Sequence, residues 1–290
     1  MRSEQTRLPG EGALSLSRWG VVPALAYTVL CFAAPIVIMI LVSFWQREGA
    51  KILPEWTFAN YLEFFGKSYL VESLGNSVVV SLLTTVISVI VAYPLAYILA
   101  YQVPPRWQRH LLVLAVLPFW TSYVIRSYSW LLLLSDNGFI NVVLQDIGLI
   151  DAPVQFAYNR GATILGFVHF FTMLLTLTIY ANLVQISRSY RLAGADLGAS
   201  KLQIFLRITL PLSLPGVAVG AFITFVIAIG DYITPQILGG SKEMLVPQAI
   251  ILQVQRAANL PMASVMSLTL MAVVTLTYLL CSRYLKMERV

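Results

Sequence analysis

In a chain this apolar, the residues able to do chemistry are few enough to name. Asp231 follows a long apolar run, Arg126 sits among Tyr123, Tyr128 and Trp130, and His169 lies between Phe167 and the pair Phe170 and Phe171. An ionisable group inside such a stretch is by default a candidate for handling a polar or charged solute. Asp231 suits a cationic one, with Tyr232 beside it and Arg126 a further candidate for the same path. Asp231 would serve equally as a helix cap or as the ion-pair partner of Arg126, and both readings stand open. Gly230 and Pro235 flank it and loosen the helix there, which is tolerated at membrane depth only where the backbone faces protein or a water-filled cavity. His169 reads more simply as hydrogen-bonded between helices than as a ligand or relay.

Enzyme chemistry finds no support. His169 has no nucleophile beside it, and neither Gly-x-Ser-x-Gly nor His-Glu-x-x-His occurs. The glycine-rich loop that cradles nucleotide phosphates is also missing from the sequence. Cys31 and Cys281 both fall in apolar segments and read as packing residues, not as a bridge or a metal site. The expectation is a non-enzyme with no metal and no cofactor of its own.

The elements that must position these residues are membrane spans. Of 290 residues, 58% are hydrophobic and 11% charged, against about 25% charged in soluble domains. A water-soluble fold is excluded. Gly at 17, Pro at 14 and Cys at 2 likewise exclude collagen-like, disordered and disulfide-scaffold chains. Nucleic-acid binding would need a contiguous basic face, whereas the 19 Lys and Arg are spread along the chain. Apolar stretches predict six helices, over 20–45, 73–101, 110–134, 161–183, 212–237 and 259–282, each long enough to cross a ~30 Å hydrocarbon core. The first is too long for a signal-peptide core and no small-x-small cleavage site follows it, so it is read as retained. The fold class is an all-α polytopic membrane protein, with a tail over 1–18 and one transmembrane domain over 19–290. Pro35, Pro94, Pro118 and Pro215 fit a bundle that flexes and decide nothing further.

Positive charge sets the orientation. With both termini inside, 12 Lys and Arg face the cytoplasm and 6 the outside, with Arg126 inside the third span. Glu48, Glu55, Glu63, Glu72, Asp136, Asp146, Asp151 and Glu243 then lie outside.

One cytoplasmic segment, 185–211, is too long to be a mere connection. A helix over 187–197 is closed by Gly198, a residue able to take positive φ. Ser200-Lys201-Leu202-Gln203 is a capping-box pattern that opens a second short helix, with Leu202, Phe205, Leu206 and Thr209 as its apolar stripe and Pro211 as its end. Ala193-Gly194-Ala195 carries almost no bulk. Either a partner approaches closely there, or the turn packs tightly on its own bundle.

Gly198, then nine residues, then Ile208, one residue and Leu210-Pro211 resembles the second part of the EAA-loop signature of bacterial ABC-importer permeases. So does Ala195-Asp196-Leu197-Gly198-Ala199-Ser200, while Leu192-Ala193-Gly194 stands where the family pattern has Glu-Ala-Ala. Arg191 and Asp196 are the nearest charged substitutes for that glutamate. The resemblance implies a permease of the bacterial inner membrane, its termini cytoplasmic, with a coupling loop between helices four and five. Leu192, Ala193, Gly194, Asp196, Gly198, Ala199, Ile208, Leu210 and Pro211 would carry that coupling. It further implies a second permease subunit, a cytoplasmic ATPase dimer that binds ATP and Mg, an extracytoplasmic solute-binding protein and membrane lipid as partners, and no nucleic acid. The run from Gly230 to Gly240, with Trp56-Thr57 and Asn60-Tyr61, is similar to spermidine/putrescine-type permeases and implies a small polar, polyamine-like cargo. The competing reading is a stand-alone secondary transporter or channel, which would need several facing intramembrane charges.

Overall fold

The computed structural model describes residues 18–49, 51–240 and 243–285. The expected tail over 1–18 lies outside these residues except for Arg18, as do Arg2, Arg7, Lys242, Lys286 and Arg289.

The first span is α1 (Arg18–Thr28), a π-turn over Val29–Ala33 and α2 (Ala34–Ser43). Pro35 explains the wide turn. A proline ring strikes the carbonyl four residues back, here that of Cys31, and the N–H of Ala34 reaches back to Val29 instead. A feature the apolar pattern did not announce follows, a hairpin of β1 (Trp45–Glu48) against β2 (Lys51–Trp56), antiparallel, with Gly49 at φ +61° in the turn. Asn60 pins it by donating to the carbonyls of Ser43 and Trp45, both at 2.9 Å.

After α3 (Ala59–Gly66) comes α4 (Ser68–Tyr101), which with α8 (Arg160–Gln185) and α11 (Leu210–Gly230) forms the centre of the bundle. Small and hydroxyl residues make that possible. Ser73, Ser77, Ser81, Thr84, Ser88, Ala92 and Ala96 recur every three or four positions and are all buried, the pattern that lets helix backbones approach in a membrane. Ala92 packs with Leu175, Ile179 and Val217 at one depth, and Val80 with Phe167, Phe171 and Ala228 at another.

The third expected helix, 110–134, is not continuous. The chain forms α5 (Pro105–Val116), a 3-10 turn over Leu117–Trp120, and α6 (Tyr123–Leu134), with a bend of 87° at Thr121–Ser122. Pro118, set aside in the sequence reading, is the cause. Its ring bars the α turn at residue 114, and Thr121 and Ser122 then take extended ψ values of 145° and 133°. Among the described residues five helices are long and apolar enough to cross a membrane, and this bent pair makes a sixth crossing when taken as one broken span.

The chain continues through α7 (Phe139–Asp146), α8, α9 (Arg188–Asp196) and α10 (Lys201–Ile204). Pro211 does not end the second hairpin helix. α10 passes through a π-turn, Phe205–Thr209, directly into α11, and the amide of Leu210 bonds to the carbonyl of Phe205. The wider turn moves the carbonyl of Arg207 away from the Pro211 ring, so the helix runs on. The expected span 212–237 also breaks, at Asp231–Tyr232, because Pro235 would strike the carbonyl of Asp231 in a continuous helix. α12 (Ile233–Leu238) restarts it, and α13 (Val246–Gln255) and α14 (Leu260–Leu285) complete the order.

Candidate functional site

Two helix breaks meet at one place. Tyr123, the first residue of α6, donates its hydroxyl hydrogen to Asp231 and also bonds Thr234, joining the break before α6 to the break before α12. Asp231 accepts in addition from the amide of Ile233 at 2.9 Å and from that of Thr234 at 3.5 Å. Its carboxylate therefore engages the first turn of α12, a helix the sequence did not separate from the fifth span, and does not cap the outer end of that span, the helix-cap role the sequence left open. Ion pairing with Arg126 is not formed. Among the described residues the ion pairs are Glu63 with Lys67 and Arg160 with Glu243.

Arg126 lies on the next turn of α6, only 8% exposed. One terminal nitrogen donates to the carbonyl of Thr121 at 3.1 Å, inside the break, and the guanidinium carbon stands 5.2 Å from the centroid of the Phe170 ring. Phe119 stacks on Phe170 at 5.4 Å and Tyr123 meets it edge-on at 4.9 Å. Tyr232 takes no part; its side chain is exposed and preceded by the break. His169 accepts at Nδ1 from the indole N–H of Trp130 at 2.8 Å, a bond between α8 and α6. That contact gives Trp130 a packing role, whereas Trp107 and Trp120 are exposed. Sequence reasoning missed Tyr123 and Thr234 as members of this junction. The signal available was the pair of prolines, Pro118 and Pro235, each of which dictates a break.

The second site is the helical hairpin α9–α10. Gly198 has φ +80°, its amide bonds to the carbonyl of Ala195 at 2.9 Å, and that of Ala199 bonds to Gly194 at 3.0 Å. This paired 5→2 and 6→1 pattern closes α9. Ser200 and Gln203 form the reciprocal capping box, at 3.3 and 2.8 Å. Gly194 is buried, and a Cβ on it would lie 2.8 Å from Cδ1 of Ile208 and 3.3 Å from Cγ1 of Ile204. The close approach at Gly194 therefore comes from the chain's own second helix. The inward stripe is Ile204, Phe205, Ile208 and Thr209; Leu202 and Leu206 of the expected stripe are exposed.

Phe205 inserts edge-on between Tyr93 and Tyr97, and Leu210 packs on the cluster around Ala92. Arg191 lies over the Tyr101 ring at 3.6 Å, so it is spent on anchoring the hairpin to α4. Asp196 is left as the exposed acid of α9. The outward side presents Leu192, Ala193 and Pro211, all exposed, and Leu197 at 88% exposure. Beside Leu197 a cavity of about 430 Å³ is lined by Gly198, Ala199, Gln203 and Arg207.

A membrane bundle whose broken helices meet at polar groups, with a structured hairpin carrying exposed leucines, is the build of a solute-transport subunit. The chain belongs to the family of binding-protein-dependent transport system inner membrane components, whose model matches residues 12–285. It is thus a multi-pass permease of an ABC importer in a bacterial inner membrane and not an enzyme. That membership displaces the stand-alone transporter or channel reading.

The relatives agree. The spermidine/putrescine transport system permease protein PotB of Escherichia coli (strain K12) is 31% identical over 269 residues, 91% of this chain and 97% of that protein. PotB of Haemophilus influenzae is 30% identical over 243 residues, 83% of this chain and 84% of that protein. Among solved structures, a bacterial ABC transporter involved in the import of the acidic polysaccharide alginate contains a chain that superimposes with TM-score 0.75 at 17% identity, covering 94% of this chain and 95% of that one.

Proposed function

We propose that this chain, paired with a second permease subunit, lines the path for a polyamine-class cation, and that a cytoplasmic ATPase dimer drives it through the α9–α10 hairpin. An extracytoplasmic binding protein delivers the cargo, and ATP and Mg are bound by the ATPase. Both termini and the hairpin face the cytoplasm, consistent with the excess of Lys and Arg on that side. The whole of 19–290 acts as one transmembrane domain behind the short tail.

The observation that carries this reading is the hairpin. Leu197, Leu192 and Leu202 stand exposed on a hairpin whose inner side is tied to α4 and α11, an arrangement that transmits force rather than one that merely connects. Exposed apolar groups gathered on one surface mark a docking site. Leu192, Ala193, Gly194, Asp196, Gly198, Ala199, Ile208, Leu210 and Pro211 would act together there, some by contact and Gly194, Ile208 and Leu210 by holding the shape. Similarity to the PotB proteins supports the polyamine class of cargo.

The test is reconstitution in proteoliposomes with the second permease, the ATPase and the binding protein. Putrescine- or spermidine-loaded binding protein should stimulate ATP hydrolysis, and Leu197→Asp should abolish the stimulation. Full stimulation in that variant would remove the coupling role.

A further inference from the structure

The two charged side chains at the junction differ in how far their own chain satisfies them. Asp231 is engaged by Tyr123, Ile233 and Thr234. Among the described residues Arg126 has one hydrogen bond and one ring face, while its Nε and Nη1 find no acceptor although both are buried. A ring face offsets a desolvated cation only in part, and ionised groups at membrane depth are as a rule paired. None of the described residues supplies the missing acceptor, and a group brought by a partner would.

The surface next to Arg126 indicates where it enters. Ser122, in the break four residues before, and Ser129, three residues after on α6, are exposed, and around them Ile125, Tyr128 and Leu132 are bare. The preceding helix α5 has no buried residue at all. The bent α5–α6 pair is therefore little covered: α5 opens on the exposed Arg106, Arg109 and His110, and α6 presents an apolar stripe with two hydroxyls beside the hidden guanidinium. Acyl chains could cover the apolar part but offer the cation nothing to bond.

We propose that the second permease subunit packs on this α5–α6 face and supplies a membrane-embedded carboxylate that pairs with Arg126, whose flexible stem turns out between Ser122 and Ser129 to meet it. This rests on the two-permease assembly described above. A polyamine-class cargo carries no anion and cannot take that place.

The test uses opposite signs in two preparations. In the isolated chain in detergent, Arg126→Met removes an uncompensated buried charge, so the thermal midpoint should rise. In the co-expressed complex, the same variant should cut recovery of the tagged second permease by more than roughly tenfold, since breaking a buried pair strands its partner. Arg126→Lys should recover part of the loss. Arg126→Glu should be rescued by changing one Asp or Glu within the spans of the second permease to Lys. A lower midpoint in the isolated Met variant would overturn the proposal and make Arg126 an internal support. Unchanged recovery of the second permease would overturn it too, and so would a change confined to the KM for cargo or one tracking the anionic lipid content of the nanodisc. Should the wild-type chain hold no second permease at all, the assembly reading itself fails and this pairing with it.

Discussion

Tyr123 and Asp231 lie 108 positions apart and share a hydrogen bond that ties the break in one span to the break in another. The tyrosine hydroxyl also meets Thr234, so one side chain fastens α6 to both the cap and the first turn of α12. Tyr123→Phe should lower stability by about 1–3 kcal/mol, the cost of leaving buried polar groups unmatched. Thermal unfolding of the detergent-purified permease measures it. Asp231→Asn keeps an acceptor for the Ile233 amide and should cost less than Asp231→Ala; equal midpoints for the two would remove the capping role.

At Gly194 the nearest neighbours are the flexible end of Ile208, at Cδ1, and the Cγ1 of Ile204. Both can yield a few tenths of an ångström, so Gly194→Ala is expected to be tolerated. Gly194→Leu is not, and should cost about 1–3 kcal/mol by overpacking while prising α9 from the second helix. Faster tryptic cleavage at Arg188, Arg191 or Lys201 reports the opening. An unchanged cleavage rate counts against the packing described.

Gly198 presents the reverse case, open space but a φ of +80°. A side chain there meets no atom and strains only the backbone, by about 1–2 kcal/mol. Gly198→Val should therefore weaken cargo-stimulated ATP hydrolysis in the reconstituted complex more than Gly198→Asn, because Asn tolerates the left-handed region. If Val and Asn behave alike, the cap is not what the position supplies.

Arg160 bonds Glu243 at 3.0 Å and Asn76 at 2.9 Å, linking the start of α8 to α4 and to the segment before α13. Both charged groups are about a third exposed, so solvent screens the pair. Arg160→Ala should cost no more than ~1 kcal/mol, and the loss should shrink as salt is raised. A salt-independent loss of several degrees in the thermal midpoint contradicts that account.

How much of this the residues foretold depends on the kind of signal. Long apolar runs locate spans because burying an unpaired backbone in lipid leaves few alternatives, and α4, α8 and α14 fall where those runs do. The Gly198 turn and the Ser200–Gln203 box are local chemistry and could be read directly. The 87° break at Thr121–Ser122 could not be read from hydrophobicity, since the stretch across it passes as one apolar span. Pro118 carried that information, and its weight depended on whether the helix could widen around it. Near Pro35 and Pro211 it widens; near Pro118 it breaks. The Tyr123–Asp231 contact lies beyond local signals altogether, because it exists only once two distant breaks are packed side by side.

The π-turn at Phe205–Thr209 stores one extra residue in the helix that joins the hairpin to α11. In an ordinary helix each residue advances the direction of everything that follows by about 100°, so that extra residue fixes the compass bearing of the hairpin relative to the bundle. Pro211 guards the setting, since its ring forbids the tighter turn that would absorb the surplus. The heading of Leu197 relative to the bundle is thus dialled in by a single imino acid fourteen positions downstream.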